Sequence, residues 1–369
     1  MKKIVLTGGG TAGHVTPNIA LLPRLRADLW HIEYIGSKTG IEKELITKEG
    51  ILYHEISSGK LRRYLTIQNL KDPFKVIYGF SEAHGLLKKI KPDIVFSKGG
   101  YVSVPVVIAA KMLKIPVIIH ESDITPGLAN KIASKGAKKI CVNFPETLKY
   151  VGDKGVLTGT PIRKELFTGY KTRGYHLAGF QNSKPVLLVM GGSLGSVKVN
   201  NALRESLDEL LNTFNIMHIC GKGNTDPTYD NKKDYKQFEY LGSELPDVFA
   251  AAEIMLSRAG ANALAEIVAL GLPNVLIPLS KEASRGDQIL NADSMLKQGY
   301  SKVIQEEELS NELLVSTIID VYENKNLYKS NMKKNRGHNG TENVIQVIKD
   351  VISDEEAKKQ PKINKKEKK

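Results

Sequence analysis

Two glycine-rich segments and one histidine are the residues of this sequence whose types and spacing most directly suggest chemistry. Gly8, Gly10 and Gly13 have the spacing G-x-G-x-x-G, and His14 follows them. Glycine permits a tight turn and lets backbone N–H groups approach an anion at the next helix start. A similar segment, Gly191-Gly192-Ser193-Leu194-Gly195, lies in the second half. We interpret the two segments as phosphate-facing elements. His14 is a candidate general base, or else a histidine that packs at a helix start.

The same glycine spacing occurs in dinucleotide-binding proteins, which also need an acidic residue at the end of the second strand. Here the second predicted strand runs into Gly36-Ser37-Lys38, and Glu33 lies inside it. We therefore predict no nicotinamide or flavin cofactor. The sequence has no Asp-x-Asp pair and no His/Cys cluster with zinc-like spacing, so we also predict no metal. Helix N-termini, backbone N–H groups and Arg163 would then stabilise a diphosphate leaving group.

Further polar motifs follow other predicted strands. Since parallel strands present their carboxyl ends at one edge, these motifs should meet a ligand there, although each alone could be a turn or a helix cap. In the first half they are Gly99-Gly100-Tyr101, His120-Glu121-Ser122-Asp123 and Thr160-Pro161-Ile162-Arg163. In the second half they are Ser257-Arg258-Ala259-Gly260-Ala261, Glu266 on the following small-residue helix, Arg285-Gly286-Asp287-Gln288 and Asn291.

Short apolar runs alternate with longer helical patterns, which is typical of parallel sheets flanked by helices. This alternation of strands and helices begins at Lys3-Ile4-Val5-Leu6. It begins again at Val186-Leu187-Leu188-Val189-Met190, a continuous apolar run typical of a buried strand. We predict an α/β fold of two Rossmann-like, doubly wound domains with a ligand cleft between them. The expected domains are residues 1–162 and 163–352, followed by a basic, disordered tail at 353–369.

Charge is concentrated in two places. The chain has 369 residues with 53 Lys+Arg against 40 Asp+Glu, and its last twelve residues hold seven Lys and one Glu. Residues 60–91 carry eight basic residues against Asp72 and Glu82, with Phe74, Ile77 and Phe80 at near-helical spacing. Such a segment suits peripheral attachment to an anionic membrane surface, or is an ordinary amphipathic helix that buries the three apolar residues.

Several classes of protein are disfavoured by composition. Two cysteines are too few for a disulfide scaffold, and no apolar stretch approaches the roughly 20 residues that span a bilayer. No secretory signal is recognisable, so we expect a soluble or membrane-surface protein. No recognised nucleic-acid-binding motif appears, and we predict no nucleic-acid partner.

The glycine-rich and polar motifs occur together in the order of a known family. The sequence resembles the MurG family over roughly residues 2–350. These peripheral glycosyltransferases add N-acetylglucosamine to lipid-linked muramyl-peptide in peptidoglycan synthesis. The resemblance implies the GT-B fold and an inverting, metal-independent transfer. UDP-N-acetylglucosamine would be the donor, and the C4 hydroxyl of the muramyl sugar of lipid I the acceptor, giving lipid II and UDP. It also implies a place on the cytoplasmic face of the cell membrane.

The resemblance also implies roles for individual residues. Leu241, with Tyr240, would flank the uracil, Glu266 would bind the ribose, and Ser193 with the helix start Ala261-Asn262-Ala263 would hold the diphosphate. The donor pocket would be completed by Thr11, Asp123, Arg163, Asn200, Asp287 and Gln288. The acceptor would meet Gly10, Thr11, Gly13 and Tyr101, with His14 as base and Glu121 or Asp123 in reserve. Some family members differ at Asp123, at Asn262-Ala263 and at Asp287.

Two other functions fit parts of the sequence. A UDP-N-acetylglucosamine 2-epimerase would share the fold and the donor, but it needs no lipid acceptor and would leave the basic apolar segment unexplained. A non-catalytic two-domain protein that closes on a small ligand is the second alternative. Release of UDP that requires a lipid acceptor would distinguish transfer from both.

Overall fold

The computed structural model describes residues 1–59, 72–192, 195–282, 284, 286–335 and 340–359, with the backbone alone at 72–74 and 335. The chain divides into two compact units. Unit 1 contains residues 1–121, 126–161 and the C-terminal part from 339, and unit 2 contains residues 122–125 and 162–338. The main division between the units, at residues 161 and 162, agrees closely with the predicted boundary at 162. The part of the chain from 339, however, belongs to unit 1.

The described residues of unit 1 form a seven-stranded parallel sheet in the order β3-β2-β1-β4-β5-β6-β7. Its strands are β1 Lys3–Thr7, β2 His31–Ser37, β3 Leu52–Ile56, β4 Ile94–Ser97, β5 Val117–Glu121, β6 Lys139–Val142 and β7 Gly155–Leu157. The helices are α1 Thr16–Ala27, α2 Ile41–Lys48, α3 Asp72–Ile90, α4 Ser103–Met112, α5 Leu128–Ser134 and α6 Leu148–Val151. Apolar side chains cover both faces of the sheet, as a parallel sheet between helices requires.

Over the described part of unit 2, six parallel strands follow the order β10-β9-β8-β11-β12-β13. They are β8 Val186–Met190, β9 Asn215–Ile219, β10 Tyr235–Phe238, β11 Ala252–Ser257, β12 Asn274–Leu276 and β13 Ser301–Val303. The helices are α7 Lys171–Ala178, α8 Val197–Glu205, α9 Leu207–Leu210, α10 Leu245–Ala251, α11 Ala261–Leu270, α12 Asp287–Lys297, α13 Asn311–Glu323 and α14 Lys325–Asn335.

Each sheet reverses its winding next to a glycine-rich turn. In unit 1 the reversal lies between β1 and β4, and in unit 2 between β8 and β11. Ligands of doubly wound sheets bind outside the carboxyl ends of the strands at this reversal point. The predicted fold class is confirmed, and the turns after β1, β4, β8 and β11 stand where such ligands bind.

The last helix, α15 Gly340–Lys359, corrects the domain prediction. Its apolar face, which includes Val344, Ile348 and Ile352, belongs to the core of unit 1. At its start, a Cβ on Gly340 would lie 2.3 Å from the carbonyl oxygen of Thr160, so the helix approaches that backbone closely. Residues 340–352 therefore belong to unit 1 rather than the second domain. Residues 353–359 continue the helix, and the remaining residues of the predicted tail lie outside the described ones.

The predicted membrane segment is only partly described. Residues 60–71 and the side chain of Phe74 lie outside the described part. On α3, Phe80 packs against the core of unit 1, whereas Ile77 is 63% exposed. The predicted apolar stripe is thus divided between core and surface. In the described part of the chain, no helix has the length and apolar character needed to cross a membrane.

Candidate active site

The turns after β1 and β4 pack directly on each other in unit 1. A Cβ on Gly100 would lie 2.2 Å from the carbonyl oxygen of Gly9 and 3.3 Å from Nδ1 of His14. A Cβ on Gly10 would lie 2.5 Å from the ring of Tyr101. Gly10 and Gly100 have φ angles of +88° and +81°, which favour glycine. The structure therefore brings His14, Gly10 and Tyr101 together, as the sequence predicts.

His14 ends a short 3₁₀ turn, Ala12–His14, that precedes α1. Its Nδ1 lies 3.0 Å from the hydroxyl oxygen of Thr11, at hydrogen-bond distance. When Nδ1 carries the proton, it donates to this oxygen, and the proton-accepting nitrogen of the ring is then Nε2. Thr11 thus orients the imidazole in either tautomer, because a hydroxyl group both donates and accepts.

A buried carboxylate that sequence reasoning missed supports the first glycine-rich turn. Glu42, at the start of α2, is completely buried and accepts hydrogen bonds from the backbone N–H groups of Gly10 (3.2 Å) and Ser37 (3.2 Å). On the other side of the turn, the hydroxyl of Tyr34 donates to the carbonyl oxygen of Gly8 at 2.7 Å. The N–H of Gly10 is therefore directed into the protein. The sequence shows only an acidic residue two positions after Gly40. Such a residue is common in the first turn of a helix and does not by itself indicate a contact with a distant turn.

His120 and Glu121 have structural partners in unit 1. Nε2 of His120 donates to the carbonyl oxygen of Gly159 at 2.9 Å, and Nδ1 lies 3.0 Å from the ammonium nitrogen of buried Lys98. Burial, followed by the charge of Lys98, holds the pKa of His120 well below its usual value. Glu121, a reserve candidate for the base, accepts from the backbone N–H of Gly127 at 3.0 Å. These contacts hold the ends of β5 and β7 in place.

In unit 2, the predicted diphosphate segment leads into α8. Ser193 and Leu194 lie outside the described residues, and Ser196 is the N-cap of the helix. The hydroxyl oxygen of Ser196 accepts from the guanidinium of Arg258 at 2.7 Å and 3.1 Å. By contrast, the N-cap of α11 is Gly260, which provides no side-chain cap. Its first N–H groups therefore have no N-cap side chain to satisfy them, which suits an anionic ligand.

Glu266 and Arg163 carry opposite charges in unit 2 and influence each other electrostatically. Burial raises the pKa of Glu266 to about 7, and the nearby charge of Arg163 opposes that increase. Among the described residues, neither side chain has a hydrogen-bond partner. Nε of Arg163 is buried and has none either. Two polar groups at the candidate site are therefore available to a ligand.

Asp123, Asp287 and Gln288 are also engaged within unit 2. Asn291, completely buried on α12, donates to the carboxylate of Asp123 at 3.0 Å, and Thr125 donates to that of Asp287. The side-chain oxygen of Gln288 accepts from the backbone N–H of Leu279 at 3.1 Å, which orients its amide group. These bonds fix residues 122–125 on α12 and place three predicted donor residues at its start.

Asn200 lies inside unit 2, in contrast to its predicted contact with a donor. It is completely buried, donates to the carbonyl oxygen of Cys220 at 3.0 Å and accepts from His218 at 2.9 Å. Its side chain therefore supports the end of β9.

Leu241, one of the two residues predicted at the uracil, is buried as well, whereas Tyr240 is 73% exposed. Ala261 is buried at the first position of α11. Across the described residues, no three His, Cys, Asp or Glu side chains are placed to hold a metal ion.

Comparison with known proteins shows which class of enzyme this chain belongs to. Residues 4–142 match the glycosyltransferase family 28 N-terminal domain, and residues 186–348 match the glycosyltransferase family 28 C-terminal domain. Two Rossmann-like units with these domains define a glycosyltransferase of the GT-B type. The crystal structure of Acinetobacter baumannii MurG is similar, with a TM-score of 0.74 and 27% identity, over 95% of this chain and 100% of that one.

Relatives with higher identity specify the family. The UDP-N-acetylglucosamine–N-acetylmuramyl-(pentapeptide) pyrophosphoryl-undecaprenol N-acetylglucosamine transferase of Clostridium tetani is 59% identical, over 94% of this chain and 97% of that protein. The protein of the same description from Lachnoclostridium phytofermentans is 58% identical, over 95% and 99%. The chain belongs to the MurG family.

The raised pKa of Glu266 predicts a pH-dependent gain of stability in E266Q. An acid whose pKa rises from 4.5 to about 7 on folding destabilises the folded state progressively as pH increases through that interval. Without nucleotide, E266Q should match the wild type near pH 4.5 and be more stable above pH 7, by at most about 3 kcal/mol. Thermal unfolding between pH 4.5 and 8.5 measures this difference. E209Q, at an exposed position, is the control, and a difference that does not change with pH would contradict the assignment.

Proposed function

We propose that this protein transfers N-acetylglucosamine from UDP-N-acetylglucosamine to the C4 hydroxyl of the muramyl sugar of lipid-linked N-acetylmuramyl-pentapeptide, with inversion at the anomeric carbon. Relatives of 57–59% identity that bear the description of this transferase support the proposal. The same relatives favour it over a 2-epimerase or a non-catalytic binder. The activity belongs to the building of the peptidoglycan cell wall, and thereby to cell shape and division.

The structural observation that carries the donor assignment is that the side chains of Glu266 and Arg163 have no hydrogen-bond partner among the described residues. A carboxylate accepts hydrogen bonds from the two hydroxyls of a ribose, and a guanidinium binds phosphate oxygens. The uncapped start of α11 would supply backbone N–H groups to the same diphosphate. Asp287 and Gln288 would bind the N-acetylglucosamine hydroxyls, while Leu241 would contact the uracil. These contacts would hold UDP-N-acetylglucosamine on unit 2.

The proposed chemistry is a single displacement. The acceptor hydroxyl oxygen attacks the anomeric carbon of N-acetylglucosamine as the bond from that carbon to the phosphate oxygen breaks. The electron pair of that bond leaves with UDP. Nε2 of His14 accepts the hydroxyl proton while Thr11 holds Nδ1. Tyr101, with Gly10 and Gly13, would form the surface for the acceptor sugar and its diphosphate.

An acceptor-dependence assay tests the proposed function. The full chain is incubated with UDP-N-acetylglucosamine, with and without a lipid I analogue, and released UDP is measured. We expect UDP release only with the acceptor, and an unchanged rate in EDTA because N–H groups and Arg163 stabilise the leaving group. Release without acceptor would support an epimerase or hydrolase, absence of release would support a binder, and loss of activity in EDTA would contradict the metal-independent mechanism.

Replacement of His14 should lower turnover without weakening donor binding. General base catalysis contributes typically 10²–10⁴-fold, so kcat of H14A should fall by about that factor while KM for UDP-N-acetylglucosamine stays within a few-fold. T11V should show a smaller loss in kcat, since it keeps the imidazole and removes the hydroxyl that contacts Nδ1. H31A, a histidine of β2 bonded to Glu33, is the matched control. A decrease of only a few-fold in H14A would reject the assignment.

We also propose that unit 1 attaches to an anionic membrane surface. Helices α3 and α4 pack together and both expose large apolar side chains, with Ile77 63%, Tyr78 67% and Met112 63% exposed. Exposed lysines accompany them: Lys75, Lys88, Lys89, Lys111 and Lys114. Apolar side chains that enter the interface together with lysines near anionic headgroups are typical of peripheral attachment. A lipid-linked acceptor would be met at that surface.

Charge reversal on α3 tests the membrane proposal. Each basic residue near an anionic surface contributes about 1 kcal/mol, so K75E/K88E/K89E should weaken binding to phosphatidylglycerol-containing liposomes at least tenfold. Binding is measured by sedimentation at two salt concentrations. K297E/K329E/K333E changes net charge equally on exposed positions of unit 2 and should bind like the wild type. Equal effects of the two triple variants would assign the attraction to net charge rather than to this surface.

A further inference from the structure

Arg258 stands out as a buried cation that the proposed mechanism does not use. It follows β11 directly, is 7% exposed, and lies three residues before the first residue of α11. The resemblance to the family implied no role for Arg258. Its guanidinium is directed to protein groups rather than to solvent.

The two edges of the guanidinium bind different strand ends. Nε and Nη2 donate to the hydroxyl oxygen of Ser196, the N-cap of α8, at 3.1 Å and 2.7 Å. Nη1 donates to the carbonyl oxygens of Ile277 and Pro278, which follow β12, at 3.1 Å and 3.2 Å. Nη1 also pairs with Glu306, which follows β13 and is itself buried. One side chain thus connects the chain after β8, β11, β12 and β13.

The segment that leads into α8 has a second close contact in the described part of unit 2. A Cβ on Gly195 would lie 2.0 Å from the carbonyl oxygen of Cys220, so the turn presses on the end of β9. The bond from Arg258 to Ser196 fixes the opposite side, toward α11. Both helix starts that border the proposed diphosphate site are then set relative to each other by a planar group with fixed donor directions.

From these contacts we infer that Arg258 is a positioning residue for the donor diphosphate. It sets the separation of the α8 and α11 N-termini without touching the ligand. The inference rests on the proposed function, since it assumes that unit 2 binds a uridine diphosphate. Removal of the guanidinium should therefore lower the affinity for ligands that carry a diphosphate. The uracil and ribose contacts at Leu241 and Glu266 should persist.

The test compares UDP with uridine in the full chain by calorimetry and competition binding. In R258M the affinity for UDP should fall at least tenfold, and that for uridine less than about twofold, so the ratio of the two affinities falls. R258K should behave like R258M, because a single ammonium cannot reach Ser196 and the carbonyls of Ile277 and Pro278 together. KM for UDP-N-acetylglucosamine should rise in both variants.

Two further variants keep the test decisive. S196A leaves Arg258 and its ion pair intact and should lower the ratio of UDP to uridine affinity to a smaller degree. This variant tests the inference if R258M does not fold. R204M is the matched control, since Arg204 bonds the carbonyl oxygen of Asn224 and the side chain of Gln237 but not the turn. An unchanged ratio in R258M, R258K and S196A, or an equal fall in R204M, would overturn the inference. Failure of the wild type to bind UDP would instead contradict the proposed function.

Discussion

Close approach of backbone to backbone at the strand ends is the constraint on which the candidate site depends. Gly100 lies against the carbonyl oxygen of Gly9 in unit 1, and Gly195 lies against that of Cys220 in unit 2. Neither contact leaves room for a Cβ atom, so glycine is required by space as well as by the φ angles of +81° and +77°. These contacts bring His14 beside the second turn of unit 1 and determine where α8 begins in unit 2.

A buried charged side chain supports each of these turns, with opposite sign in the two units. Glu42 accepts from the backbone of Gly10, and Arg258 donates to the side chain of Ser196. Glu42 holds its turn through the backbone N–H of Gly10, which withdraws that group from ligand binding. A guanidinium holds its turn through an oxygen and leaves the N–H groups directed elsewhere. The two similar sequence motifs therefore differ in the chemistry that they offer, and unit 2 is the better suited to a diphosphate.

The sequence predicted the architecture well because buried parallel strands such as Val186–Met190 are continuous apolar runs that end at glycine. It placed α15 in the wrong domain, since periodicity identifies an apolar face but not the core that receives it. Residue types in the segments that follow the strands predicted His14, Tyr101, Glu266 and Arg163 as site residues, and these assignments stay predictions. Glu42 was missed, and the burial of Asn200 was not predicted, because burial and hydrogen-bond partners depend on contacts between distant segments, which spacing along the chain does not encode.

The proposed donor site also illustrates how a binding function can oppose stability. Glu266 would be more stable as a neutral or solvated group, and Arg163 would be more stable in an ion pair, yet the structure keeps them unpaired among the described residues. A guanidinium that is already in place needs no rearrangement when negative charge develops on a leaving diphosphate, which is the condition for strong electrostatic stabilisation. Had the two side chains formed a salt bridge, the ligand would first have to break it, and the free energy of folding gained would be subtracted from binding.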